Sequence, residues 1–145
     1  MLKHALSLTL PALLAGNVMA ATMEFCPAPA EIQNTNGVLT ARAESGDGQW
    51  LGLLKDQNSV VISFDSAIFY PSDGKVDGVG RLRACTYKTS GKQSIDMRYR
   101  TEVTPDIPIR LANAPAWKRH EGPFGIIYFE CRSQDLQGCA FREAR

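Results

Sequence analysis

Four cysteines, Cys26, Cys85, Cys131 and Cys139, constrain this chain more than any other feature, because their chemistry depends on where the chain ends up. The first twenty residues, MLKHALSLTLPALLAGNVMA, answer that question. Lys3 precedes an apolar run over residues 5–16, and Val18 and Ala20 occupy the small-residue positions that a signal peptidase reads. Cleavage is expected after Ala20. A membrane anchor needs about 20 apolar residues, whereas this run is shorter and interrupted by Pro11. The next residue is Ala21, and Cys26 lies too far along to carry a lipid as the first residue, so residues 21–145 are expected to be exported without an anchor.

In an oxidising compartment an even number of cysteines reads first as disulfides. Structural zinc favours thiols two to four residues apart, and redox catalysis favours Cys-x-x-Cys; the chain has neither. The only histidine beyond the leader is His120. Neither metal nor cofactor is expected. Four cysteines allow three pairings. Gln, Asp and Gly in residues 133–138 suit a turn between two short strands, which favours Cys131–Cys139 and leaves Cys26–Cys85. The two crossed pairings stay open.

Hydrophobic periodicity predicts strands nearly throughout. In SIDMRYRTEV, Ile95, Met97, Tyr99, Thr101 and Val103 alternate with Asp96, Arg98, Arg100 and Glu102. SVVISF and AIFY read as two strands around Asp65-Ser66, and GIIYFEC, apolar from Ile126 to Phe129, reads as a central strand. VLTARAE, QWLGLL (with Trp50 in the core) and RLRACTY complete the set, while PAPAEIQ has room for one helical turn. Asn36-Gly37, Asp73-Gly74, Asp77-Gly78 and Ser90-Gly91 punctuate the runs as turns. Residues 104–123 lose the alternation and hold four prolines, which predicts a long connection across one end of the sheet. The expected fold is therefore all-β: one antiparallel β-sandwich or barrel of about seven or eight strands with two disulfides, spanning residues 21–145.

The segments CPAPAEIQNTNGVLTA, GQWLG, AIFY, LRACTYK and IDMRYR resemble a family of small exported bacterial proteins, domain of unknown function 3757. The resemblance covers about three-quarters of the exported chain. It implies an exported Gram-negative protein, all-β, with its first cysteine bridged, and it implies no reaction.

Catalytic signatures are scarce. His120 sits in WKRHEG beside Glu121, there is no Gly-x-Ser-x-Gly elbow, and paired cysteines leave no thiolate. Fifteen acidic residues leave a carboxylate-dependent enzyme acting on envelope glycans as an alternative. Asp73 and Asp77 lack EF-hand spacing and suit turns better than calcium. Sixteen Lys and Arg, with Lys3 in the leader, balance these acids, which argues against nucleic acid as a partner. The composition of Trp117, Lys118, Arg119 and His120 suits a contact site, although Trp117 has an equal alternative as a plug over the core. The sequence thus favours a monomeric periplasmic or secreted binding module for an unknown protein or cell-envelope component, ahead of the enzyme and of a structural subunit docking by a strand edge.

Overall fold

The computed structural model describes residues 21–103, 106–135 and 137–144; the expected leader, residues 1–20, lies outside the described residues. Among the described residues eleven strands, all paired antiparallel, form one curled sheet resembling a half-barrel. They are β1 (Met23–Glu24), β2 (Gln33–Thr35), β3 (Val38–Arg42), β4 (Gln49–Leu53), β5 (Val61–Pro71), β6 (Gly80–Thr89), β7 (Ser94–Tyr99), β8 (Ile109–Leu111), β9 (Trp117–Glu121), β10 (Ile127–Cys131) and β11 (Phe141–Glu143). The count exceeds seven or eight because several strands are only two or three residues long.

The ten-residue β6 is the hub. One edge takes β5, followed by β10 and then β9. Its other edge takes β7 along residues 85–88, continuing to β4, β3 and β2, while Gly80 at its start takes β8, followed by β11 and β1. Buried side chains from these arms meet inside the curl. Trp50 of β4 lies 6.1 Å from Phe141 of β11 and 5.0 Å from Tyr99 of β7, ring centre to ring centre. Tyr87 is fully buried, and its hydroxyl donates to the Pro27 carbonyl at 2.6 Å.

Local chemistry sets the boundaries. Asn36 and Gly37 both have positive φ, 51° and 87°, and join β2 to β3 as a two-residue hairpin loop. The helical turn foreseen in PAPAEIQ is the 3-10 turn Pro29–Glu31. β7 stops at Tyr99 rather than running to Val103, because Arg100 adopts φ 44° and accepts a turn hydrogen bond from Val103 N. SVVISF and AIFY are one strand, β5, whose pairing with β6 shifts register at three places, one beside Asp65. GIIYFEC gives β10, which is paired on both edges but lies away from the hub.

The largest departure concerns residues 104–123. They contain β8, the 3-10 turn Ala114–Ala116 and β9 rather than one long connection. Prolines hid these strands, yet Pro115 falls in the 3-10 turn and Pro123 just beyond β9, where no ladder N–H is lost.

Both disulfides have the favoured pairing: Cys26–Cys85, with 59 residues of separation, and Cys131–Cys139, with 8. The second forms for a different reason from a hairpin. Cys131 ends β10, which pairs with β5 and β9, whereas Cys139 precedes β11, which pairs with β8 and β1. The bridge therefore ties two separate arms. Two disulfides fit an oxidising periplasmic or extracellular compartment. Among the described residues no helix is long and apolar enough to cross a membrane.

Candidate functional site

Strand alternation sorts the candidate residues on β9. Trp117 turns inward, buried, with its ring edge-on to Phe69 at 6.4 Å. Lys118 and His120 take the opposite, outer face. Arg119 shares the parity of Trp117 but stands clear at the sheet edge, where it faces Glu121 at 3.9 Å. One strand thus carries all four residues, but no one face does.

What His120 joins is visible only through register. It lies directly opposite Tyr128 of β10, the rings stacked 5.1 Å apart and 13° from parallel. Tyr128 meets Tyr70 of β5 at 5.8 Å, and the Arg81 guanidinium, opposite Tyr70 on β6, lies 5.7 Å from that ring's centre. His120, Tyr128, Tyr70 and Arg81 therefore form one row across four strands, held by stacking and a cation–π contact.

An ionic row runs beside it. Lys88 and Arg132 both reach Asp65, at 3.7 and 3.3 Å; Arg132 also binds Glu130, whose Oε1 stands 4.0 Å from His120 Nε2. These bonds, first those to Glu130 and then the nearby Asp65 charge, push the Arg132 pKa up. The carboxylates of Asp65 and Glu130 are thus engaged by cations. Asp73, weighed as a calcium ligand, accepts a hydrogen bond from Lys75 N at 3.0 Å within its own turn. Among the described residues no three His, Cys, Asp or Glu side chains are grouped to hold a metal.

The turn joining β9 to β10 is the second part of the site. Pro123–Gly125 forms a 3-10 turn in which Phe124 adopts φ 61° and projects its ring fully into solvent, with Ile126 half exposed beside it. A bulky residue in the left-handed region is an outlier costing about 1–2 kcal/mol. Behind the tip lies an open groove of about 650 Å³, lined by Tyr70, Arg81, Asp106, Pro108, Ile126 and Ile127, with Arg81 and Asp106 paired at 3.6 Å.

Three buried side-chain polar atoms among the described residues lack a hydrogen-bond partner, and two are on β9: Trp117 Nε1 and His120 Nε2. The third, Arg100 Nε, belongs to a structural cluster in which Arg100 Nη1 donates to Glu143 at 2.7 Å and Tyr99 donates to the same carboxylate at 2.9 Å. A larger trough, about 1030 Å³, crosses the other wing, where it is lined by Leu51, Leu53, Leu54 and Ile95 among others. The β9–β10 hairpin, which presents the exposed Phe124 and Ile126 at its tip, is the better candidate.

Comparison with known families places this hairpin in context. Residues 21–142 match the family described as "Protein of unknown function (DUF3757)". The chain belongs to this family. The match takes in β1 to β10, the first two residues of β11 and all four cysteines, so both disulfides and the β9–β10 hairpin lie within the family's extent. No curated protein and no solved structure matches the chain.

Sequence reasoning reached β9 through its composition but missed Tyr70, Arg81, Phe124, Tyr128 and Ile126. Phe124 carried a local signal, since GPFG between two runs is a turn with an apolar residue at its tip. The row carried none, because its members come from four strands.

Proposed function

We propose that this domain works by binding, in the periplasm or outside the cell once residues 1–20 are removed, and that the β9–β10 hairpin makes the contact. The partner class is another protein or a cell-envelope component. The observation that carries this reading is Phe124, an aromatic side chain held in solvent by an unfavourable backbone conformation. Stability alone favours a polar residue or glycine there, and strain of this kind concentrates where a surface is used. Exposed aromatic anchors dominate binding energy at interfaces. The aromatic row beside it, in which His120 stacks on Tyr128, adds planar groups on the outer face of the same hairpin.

The test is capture from a bacterial envelope extract by immobilised residues 21–145, compared with Phe124→Asn. Asparagine tolerates positive φ, so the fold is kept while the anchor is lost. Partners retained by the parent and released by the variant are expected. Equal retention by both proteins, with circular dichroism showing both folded, sinks the assignment.

A further inference from the structure

The outer edge of β9 has a feature that selects its own partner. Gly122 N donates to Ile126 O at 2.8 Å, which makes Gly122–Ile126 a hydrogen-bonded pair of the hairpin. Pairs alternate along an antiparallel ladder, so His120 and Lys118 also turn their backbone groups toward β10. The N–H and C=O of Arg119 and Glu121 consequently point away, off the free edge. Among the described strands β9 pairs with β10 alone. The side chains of Arg119 and Glu121 are 57% and 60% exposed.

We infer that β9 pairs antiparallel with β9 of a second copy of this chain, about a twofold axis at His120. Backbone parity allows a twofold only at a residue, and charge then chooses which. An axis at Lys118, Arg119 or Glu121 sets that residue against its own copy, like charge against like, which is destabilising. The axis at His120 instead places Arg119 opposite Glu121 of the partner, and Glu121 opposite Arg119 of the partner. In that register the hydrogen-bonded positions are the two Arg–Glu pairs, whose backbone groups already face outward. The two His120 residues form the close, non-hydrogen-bonded pair at the centre. Both outer faces fall on the same side of the joined sheet, so the row from Arg81 to His120 continues into the partner's row. Charged edge residues ordinarily discourage strand addition; here they discourage the registers centred on Lys118, Arg119 and Glu121 and favour the one centred on His120. The chemistry is that of a small, weak, reversible dimer, and it stands independently of the contact assigned to Phe124.

Sedimentation equilibrium of oxidised residues 21–145, from micromolar to millimolar concentration, should show a reversible monomer–dimer equilibrium. Arg119→Glu or Glu121→Arg alone opposes like charges and should weaken association by at least about tenfold. The double reversal, Arg119→Glu with Glu121→Arg, restores the opposition of unlike charges and should recover the parent value. Thermal melts of all four proteins separate lost pairing from lost folding. A monomer throughout overturns the inference. So does self-association that the single reversals leave unchanged, or a double reversal as weak as the singles.

Discussion

Replacing Glu24 tests how the curled sheet is held shut. Glu24 ends the two-residue β1 at one limit of the strand order, and it is only 1% exposed. Its carboxylate accepts hydrogen bonds from Glu44 N at 2.9 Å and Ser45 N at 2.8 Å, two amides in the turn between β3 and β4. One side chain therefore joins the short β8–β11–β1 branch to the far wing. Hydrogen bonds to a charged group contribute about 1.5–3 kcal/mol each, and unpaired buried amides cost about 1–3. Ser45 is partly exposed, which lets water compensate and favours the low end. Glu24→Ala should thus cost about 3 kcal/mol, and Glu24→Gln, which keeps the shape and one acceptor, about half as much. With a urea slope of about 2 kcal/mol per molar, the alanine variant's midpoint should fall by about 1.5 M at unchanged slope. Glu44→Ala, altering an exposed side chain and leaving its amide in place, should leave the midpoint within about 0.3 M. A Glu24→Ala midpoint within about 0.3 M of the parent refutes the idea that this carboxylate closes the sheet.

Replacing Cys26 and Cys85 together by alanine opens a loop of 59 residues and should cost about 4 kcal/mol in denaturant melts, against about 2.5 for Cys131 and Cys139, whose loop spans 8. Burial, and then the Glu31 charge, raise the Tyr87 pKa far above its usual 10.0; burial and the bond to Glu143 raise that of Tyr99 as well. The unfolded chain ionises first, so this stability is whole below pH 10 and declines above it, by about 1.4 kcal/mol per pH unit from Tyr87. Urea melts from pH 9 upward should show the decline, and Tyr87→Phe should shrink it. Phe124→Asn should raise the thermal midpoint by about 4 °C through relief of about 1 kcal/mol of backbone strain, even as partner capture is lost.

The site shows why a correct composition argument can still miss the arrangement. Trp117, Lys118, Arg119 and His120 stood out as an aromatic–basic cluster, yet a strand sends neighbours to opposite faces, so Trp117 packs on Phe69 while His120 stacks on Tyr128. The long-connection reading failed on prolines, because a proline at a strand boundary weakens the periodic signal without breaking any ladder bond. A turn motif points to the Cys131–Cys139 bridge, whereas its role in tying two arms depends on partners that β10 and β11 find elsewhere in the chain.

From the residues alone came the all-β class, the bridging of the cysteines with a favoured pairing that left two others open, and most strand cores, because alternation and Asn-Gly turns act over a few residues and an even cysteine count needs no fold to read. The closure by Glu24, the row from His120 to Arg81 and the outward backbone of Arg119 and Glu121 were decided by tertiary structure. Each depends on which strands lie side by side and in what register. That is set by the packing of residues distant in sequence, such as Trp50 against Phe141, and no local pattern encodes it.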